Sequence, residues 1–512
     1  MATSVPLRID VLFYQRCGYS EPSHAQFQLV TMNRRTLTWE GPSSKVKLGA
    51  AMAVFLLTLP SCDPATMFER PVQPFGKSDE LVVLVRNSPT TRFLGADGKY
   101  SGIEQDLLDL FAKENGMRLR LVERTNFGEI LPALNRHMAH LAAAGLTATE
   151  ERRENFIFGP AYLSVHTVVA YNTDHPHPRN VHDLAGKRVA VLAGSSGVEQ
   201  LRLEAFEEPK LRWEEIMARD GTELLDKLAS DEFDYVVTDS NIVELAQNFS
   251  PNIGRAFNLG EPETLSWAMP KDANPALVER IAEFFARINS NGTLRILLDR
   301  YYGHIQRLNQ GDVVAFLERR QTALPQYRGI FQEAQVLTGI DWRLLAALGF
   351  QESHWNPLAT SPTGVRGLMM LTSETADRLG VNDRLDARQN IIAGARYLKI
   401  LLDTLPERIL EPDRTWLALA SYNIGYGHLE DARILTQRHG LNADKWVDVK
   451  KTLPLLTRSD FYITVKRGFA RGGEAVILTE NIRNYFDILV RYEDSYRPLF
   501  FAIPEEANQV AP

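Results

Sequence analysis

The spacing of apolar residues divides this chain into two parts. From residue 79 onward, apolar runs typical of buried strands alternate with helical segments, as in "ELVVLV" (80–85), a helix over 102–116 and "LRLVER" (119–124). Later strands are expected in "KRVAVLAGSS" (187–196) and "FDYVVTDSN" (233–241), whereas 313–492 is helical in period almost throughout. Such alternation predicts a parallel sheet covered by helices. We therefore expect two α/β lobes followed by a mainly α region.

These changes of pattern define five segments. A chain of 512 residues is too long for one compact core. We expect, in chain order, an over-extended start plus a signal sequence (1–61), a linker (62–78), a two-lobed α/β domain (79–305), a mainly α domain (306–495) and a flexible tail (496–512). Met32, followed by Arg34 and Arg35, would make a better start for the signal than Met1.

A short apolar run near the N-terminus resembles an export signal. Leu48–Leu59 follows Lys45 and Lys47 and is shorter than the roughly 20 residues that span a bilayer. The run ends in "LPSC", which resembles a bacterial lipoprotein cleavage box despite the unusual Pro60. In such a box the cysteine is lipidated, so Cys62 is expected to anchor the protein to a membrane surface. The alternative is an unpaired cysteine after an ordinary signal.

Charge and motifs exclude several classes of ligand. The chain has 57 Lys and Arg against 64 Asp and Glu, a formal net charge of −7, and no long basic block. Nucleic acid is therefore not an expected partner. The helical region shows no constellation of metal ligands and no nucleotide-binding loop, so we expect no metal and no cofactor.

The α/β domain resembles a family of binding proteins. The segments 102–116, 144–162, 183–196 and 233–241 match, in order and spacing, bacterial periplasmic solute-binding proteins of the amino-acid type. In that family a T-x-T-x-x-R stretch holds the carboxylate of the ligand, a second loop assists it, and an acid holds the amine. The resemblance places Thr147, Thr149, Arg152, Ser195 and Asp239 at these positions.

An arginine suits a carboxylate because its planar fork can donate two parallel hydrogen bonds. The resemblance implies a small amino-acid or peptide ligand for this domain. The alternative is that Arg152 and Arg153 are solvated charges at the start of a helix and that Asp239 caps another helix.

A single acid stands at the end of an apolar helix in the second domain. In "DWRLLAALGFQES" (341–353), Leu344, Leu348 and Glu352 are four residues apart and share one stripe. Burial and the negative end of the helix dipole both favour the protonated form of Glu352. A carboxyl that stays protonated near neutral pH is what a general acid needs. The alternative is an ordinary surface glutamate.

The residues around Glu352 resemble those of a known enzyme family. "ESHWNPLATSPTGVRGLMM" (352–370), "ALASYNIGYGHLEDAR" (418–433) and "ENIRNYFDIL" (480–489) resemble, in this order, the motifs of bacterial lytic transglycosylases with a soluble-type, goose-lysozyme-like domain. Behind a solute-binding-type domain and a lipoprotein-like signal, this arrangement resembles the membrane-bound lytic murein transglycosylase F family. The fold class it implies is a two-lobed, periplasmic-binding-protein-like domain followed by a lysozyme-like one.

The resemblance implies that Glu352 acts without a second carboxylate. Ordinary glycosidases use a pair, whereas in this family the C6 hydroxyl of the substrate attacks C1 and leaves a 1,6-anhydro-muramyl end. Glu352 would first protonate the leaving oxygen and then accept the hydroxyl proton. The implied role is turnover and remodelling of the cell wall, on the periplasmic side of a Gram-negative envelope, with the anchor expected in the outer membrane.

The family also implies supporting residues. Ser361 would polarise the N-acetyl group, Tyr422 and Asn423 would orient the acid and bind sugar, and Tyr485 would line the cleft. Met369 and Met370 would form a cleft wall, with Met370 standing where many relatives have Gln. The alternatives are turn chemistry for Ser361, core packing for the tyrosines and plain packing for the methionines.

Two other functions remain open at this point. A hydrolytic muramidase would recruit Glu374 or Asp377 as a second carboxylate. A non-catalytic receptor would use the α domain only to hold the glycan strands of peptidoglycan.

Overall fold

The computed structural model describes residues 71–77, 79–95, 99–305 and 308–497. The expected signal sequence and Cys62 lie outside the described residues, as does the tail from 498. Residues 71–77, within the expected linker, lie against the α/β domain. The Val72 N–H donates to the His137 carbonyl oxygen at 2.8 Å, and Asn274 Nδ2 donates to the Phe75 carbonyl oxygen at 3.1 Å.

The α/β domain is built on one sheet of nine strands, in the order β4-β1-β5-β11-β7-β10-β8-β9, with β6 paired to β11. A separate ribbon is formed by β2 and β3. The strands are β1 (Glu80–Val85), β2 (Phe93–Leu94), β3 (Tyr100–Ser101), β4 (Arg118–Glu123), β5 (Leu141–Thr147), β6 (Phe156–Phe158), β7 (Leu163–Asn172), β8 (Val189–Leu192), β9 (Glu214–Ile216), β10 (Tyr235–Asp239) and β11 (Ile253–Pro270).

The prediction of a parallel sheet holds within each lobe but not across the centre of the sheet. Strands β4, β1 and β5 are parallel in one lobe, and β10, β8 and β9 are parallel in the other. Between them β7 and β11 pair antiparallel with each other, and also with β10 and β5. An apolar run indicates that a strand is buried but does not indicate in which direction the strand runs. The register of β11 shifts between Leu259 and Glu263, and the strand continues from one lobe into the other there.

Helices cover both faces of this sheet. They are α1 (Ile103–Glu114), α2 (Ile130–Asn135), α3 (Glu150–Asn155), α4 (Ser196–Glu207), α5 (Gly221–Ala229), α6 (Ser240–Gln247), α7 (Pro275–Ser290) and α8 (Thr293–Tyr302). Short 3-10 turns occur at Phe127–Glu129 and Val181–Leu184. The apolar faces of these helices meet alternate residues of the strands, so each side of the sheet has its own buried core.

The second domain is helical, with one further 3-10 turn at Leu453–Thr457. Its helices are α9 (Gln310–Thr322), α10 (Leu324–Thr338), α11 (Trp342–Ser353), α12 (Ser373–Arg378), α13 (Ala387–Thr404), α14 (Asp413–Ile424), α15 (Tyr426–Arg438), α16 (Trp446–Thr452), α17 (Ser459–Tyr462) and α18 (Gly472–Tyr492). They enclose one apolar core around α11. The predicted fold class, two α/β lobes followed by a mainly α domain, is confirmed.

Helix α18 joins the two domains through buried charges. Glu480, which is fully buried, accepts hydrogen bonds from Trp446 Nε1 at 2.7 Å and from Arg483 at 2.9 Å. Arg483 also donates to the carbonyl oxygens of Asp299 and Arg300 in α8, each at 3.0 Å. Although burial acts to raise it, the charges of Arg483 and nearby Lys450 hold the pKa of Glu480 below its usual value. The carboxylate of Glu480 therefore stays charged, and through Arg483 it links the helical domain to the α/β domain.

We expect Glu480→Gln to lower the free energy of unfolding by about 3 kcal/mol at pH 7, because it leaves buried cations without their counter-charge. Since the folded pKa is lowered, this contribution is present above the unfolded pKa and is lost as pH falls through the folded one. Urea unfolding followed by tryptophan fluorescence at pH 7 and pH 4 measures both. Glu474→Gln is the control, because the Glu474–Arg471 pair is exposed. An equal effect of the two variants at pH 7 would contradict this role.

Candidate active site

Helix α11 is a buried helix that ends in the candidate acid. Its N-cap, Asp341, accepts a hydrogen bond from the Arg343 N–H at 2.8 Å. Every residue from 342 to 350 is buried, whereas Glu352, in the last turn, is half-buried. After the helix Trp355 turns back, and its Nε1 donates to the Ala346 carbonyl oxygen at 2.8 Å. The carboxyl of Glu352 is thus held at the margin of an apolar core.

Burial raises the pKa of Glu352 to about 8. Within the described ranges no hydrogen bond or charged neighbour contributes to this shift. Glu374 and Asp377, the candidate second carboxylates of a hydrolase, are both exposed. Among the described residues no cluster of His, Cys, Asp or Glu could hold a metal ion. The site therefore offers a single acid that is protonated at neutral pH.

A glycine-rich loop is fastened to the end of α11. Ser353 Oγ donates to the Leu368 carbonyl oxygen at 2.7 Å. On the other side of the loop, the fully buried Asn390 accepts from the Met369 N–H at 2.6 Å and donates to the Arg366 carbonyl oxygen at 3.1 Å. Gly367 has φ +84°, and a Cβ there would lie 2.1 Å from a backbone oxygen. Asn390 was not predicted from the sequence, where it is one of two adjacent amides, Gln389 and Asn390, near the start of a helix.

Tyr422 lies beside the acid and contacts the loop that carries the two methionines. Tyr422 Oη donates to the Met369 carbonyl oxygen at 2.8 Å. Burial, and next the charge of Glu352, raise the pKa of Tyr422 well above its usual value, so the two side chains are neighbours. The Met369 side chain is fully buried, whereas Met370 is half-buried with φ +47°. A positive φ is uncommon for a residue other than glycine and is found more often at functional sites.

The remaining predicted residues have different surroundings. Asn423 is exposed, next to Tyr422. Ser361 makes its hydroxyl contacts within its own turn, with Thr363 at 2.9 Å and the Val365 N–H at 3.2 Å. Tyr485 is only 4% exposed and stacks on Phe316 with ring centroids 4.5 Å apart. Its contact is with the core that supports α11.

The α/β domain gathers its predicted ligand residues where parallel strands end. The space at the carboxyl ends of β1, β5, β8 and β10 is called the inter-lobe cleft below. Arg152 is buried rather than solvated. Its Nε donates to Glu199 at 2.7 Å, Nη1 to the Thr147 carbonyl oxygen at 3.1 Å and Nη2 to the Gly194 carbonyl oxygen at 2.9 Å. Thr149 caps α3, and its Oγ1 accepts from the Arg152 N–H. Two guanidinium N–H groups remain for a ligand.

Acids face Arg152 across this cleft. Asp239 stands at the N-cap of α6 but its side chain makes no capping hydrogen bond. Burial raises its pKa against the charges of Arg86 and Arg152. Burial, and next the charge of Asp239, raise the pKa of Glu263 to about 7. Buried atoms without a partner in the described part of the chain include Ser195 Oγ, Glu263 Oε2 and Arg86 Nε. Arg86 and Glu263 were not predicted from the sequence.

Comparison with known proteins gives the class of this protein. The family model of the Transglycosylase SLT domain matches residues 329–444, and that of bacterial extracellular solute-binding proteins, family 3, matches 81–304. An ancestral arginine-binding protein bound to arginine aligns with 44% of this chain and 99% of its own at 24% identity, with a TM-score of 0.40. The two family models thus define a transglycosylase with a solute-binding domain.

Curated relatives identify the family. A membrane-bound lytic murein transglycosylase F of Nitrosospira multiformis is 51% identical over 438 residues, which is 86% of this chain and 91% of that protein. Another, of Methylobacillus flagellatus, is 45% identical over 454 residues, or 88% of this chain and 96% of that protein. The chain belongs to the membrane-bound lytic murein transglycosylase F family, as the sequence motifs predicted.

We expect activity on purified peptidoglycan to fall as pH rises through about 8, because Glu352 loses its proton there. Above that pH, kcat/KM should fall about tenfold per pH unit. Initial rates between pH 5 and 10 measure this, and circular dichroism at each pH verifies that the fold persists. A fall already centred near pH 4, the usual range of a glutamate, would overturn the assignment.

We also expect Glu352→Gln to stabilise the fold at neutral pH. Because the folded pKa is raised, the stability of the wild type is fully present below the unfolded pKa of Glu352 and falls as pH rises toward 8. Glutamine avoids that loss, so the gain is on the order of 2–3 kcal/mol at pH 7 and close to zero at pH 4. Urea unfolding at the two pH values measures it, with the exposed Glu374→Gln as a control that changes little.

Proposed function

We propose that this protein cleaves the β-1,4 bond between MurNAc and GlcNAc without water and leaves 1,6-anhydro-MurNAc ends during turnover and remodelling of the cell wall. The observation that carries the proposal is the single half-buried acid, Glu352, whose pKa is raised by burial. A hydrolase of the usual kind needs a second carboxylate beside it. Glu374 and Asp377 are exposed and take no part in that shift.

The proposed reaction uses one carboxyl twice. Glu352 donates its proton to the glycosidic oxygen as the bond to C1 breaks, and GlcNAc leaves as an alcohol. The carboxylate then takes the proton of the C6 hydroxyl as that oxygen bonds to C1, which restores the acid. No water is consumed. Tyr422 positions the loop through the Met369 carbonyl oxygen, while Asn423, Ser361 and Met370 are proposed to contact sugar.

We propose that the α/β domain senses an amino acid or a short peptide and modulates catalysis. Arg152, with two free N–H groups, would hold the ligand carboxylate, and Asp239 its amine. Coupling needs an element that both domains share. Helix α18 is one: Asn484 Nδ2 donates to the His304 carbonyl oxygen of the α/β domain at 2.6 Å, and the next residue, Tyr485, packs on Phe350 of α11 with centroids 4.8 Å apart.

We propose an anchored location in the envelope of a Gram-negative bacterium, through a lipid on Cys62 and in the outer membrane. The proposal is supported by the "LPSC" stretch and by the word "membrane-bound" in the names of the relatives. Across the helices of the described residues, none is long and apolar enough to cross a membrane.

The reaction products distinguish a lytic transglycosylase from a hydrolase. We expect mass analysis of digested peptidoglycan to give muropeptides one water lighter than those released by a hydrolase, because the C6 hydroxyl replaces water as the nucleophile. Glu352→Gln should reduce the rate by about a thousandfold while the fold persists, since it removes the proposed proton donor. Adding each amino acid or muropeptide to the same assay tests sensing.

Glu374→Gln and Asp377→Asn are the matched controls and should keep wild-type rates. Free reducing ends, or loss of activity in either control, would support a hydrolytic muramidase instead. Wall lysis that persists unaltered in Glu352→Gln would exclude Glu352 as the acid.

A further inference from the structure

An unpaired arginine lies buried in the inter-lobe cleft. Arg86 directly follows β1 and is only 3% exposed. Its guanidinium lies over the ring of Phe127, 4.8 Å from the centroid. Its Nε has no hydrogen-bond partner, and over the described ranges no other residue makes a hydrogen bond or an ion pair with its side chain. Arg152, by contrast, has three partners.

The acids nearby do not neutralise Arg86 by direct contact. Glu104 interacts with Arg86 electrostatically. Its carboxylate oxygens accept hydrogen bonds from Tyr162 Oη at 2.6 Å, Trp267 Nε1 at 2.6 Å and the Gly145 N–H at 3.1 Å. Asp239 interacts with Arg86 electrostatically and forms no ion pair with it in the described structure. A buried charge without a bonded partner is costly. The buried charge of Arg86 is therefore neutralised by direct contact only when an anionic group of a ligand binds it.

The position of Arg86 relative to Arg152 is fixed by one strand. Gly145 and Thr147 are two residues apart in β5, so they lie roughly 7 Å apart. A Cβ at Gly145 would lie 3.0 Å from Arg86 Nη2, and the Thr147 carbonyl oxygen binds Arg152. Both guanidinium groups also act electrostatically on Asp239, so they are neighbours in the cleft with separate supports.

We propose that the inter-lobe cleft takes an amino acid or short peptide with two carboxylates, one held by Arg152 and the other by Arg86. The inference rests on the proposed sensing function and specifies its ligand. Arg152 binds the α-carboxylate and Asp239 the ammonium group. Arg86 binds the acidic side chain, and its free Nε–H together with an Nη–H matches the fork of a carboxylate.

The test compares ligands that differ only in that charge. Isothermal titration calorimetry of the full-length protein in detergent is carried out with the D- and L-enantiomers of glutamate and glutamine, and then with the other common amino acids. One enantiomer of glutamate should bind at least tenfold more tightly than the glutamine of the same configuration. Arg86→Gln should bring that ratio close to one, whereas Arg152→Gln should weaken both ligands alike. Arg86→Lys should keep part of the preference, since it keeps the charge.

Arg153→Gln is the matched control, because Arg153 neighbours Arg152 but is exposed, and it should bind as the wild type does. Arg86→Gln removes an unpaired buried charge, so its thermal midpoint should equal or exceed that of the wild type. Equal binding of acid and amide, or a preference that survives Arg86→Gln, would overturn the proposal. If a neutral or basic amino acid binds instead, sensing stands and this inference fails. If nothing in the panel binds, both fail.

Discussion

The catalytic domain depends on keeping one carboxyl group partly out of water. An isolated glutamate is ionised at neutral pH, and only a solvent-poor environment reverses that. Here the environment is made by the nine buried residues 342–350 of α11, which leave the last turn at the boundary of the core. The loop held by Ser353 and Asn390 is fastened to this last turn. The same burial that keeps Glu352 protonated at neutral pH reduces the stability of the fold, a conflict common at active sites.

Both domains use desolvated charge, but with opposite outcomes. In the inter-lobe cleft, buried atoms of Arg86, Glu263 and Ser195 have no partner among the described residues, so water or a ligand must satisfy them. At the junction, Glu480 and Arg483 are equally buried but bond each other and the backbone of α8. The first arrangement leaves polar atoms available for a partner, whereas the second holds its neighbours in place.

Periodicity predicted the fold class because buried strands and amphipathic helices have different repeats, and the stripe that ends in Glu352 is one such repeat. It did not show that β7 and β11 run antiparallel through the centre of the sheet, because strand direction depends on pairing between residues far apart in sequence. The placement of Tyr485 has a similar cause. In α18 nearly every face is buried, so no polar side distinguishes a cleft from a core. Arg86 was missed because a charge directly after a strand looks like an ordinary loop residue.

Helix α18 has a consequence for how this family can vary. It is 21 residues long, about 30 Å at the rise of an α-helix, and consecutive residues, Asn484 and Tyr485, contact different domains. The helix belongs by sequence to the catalytic domain, but part of its surface is shaped by the binding domain. The two domains are therefore not interchangeable units: a chimaera joined at the linker between them would inherit a mismatched helix, and the natural boundary for exchange includes α8 and α18 together.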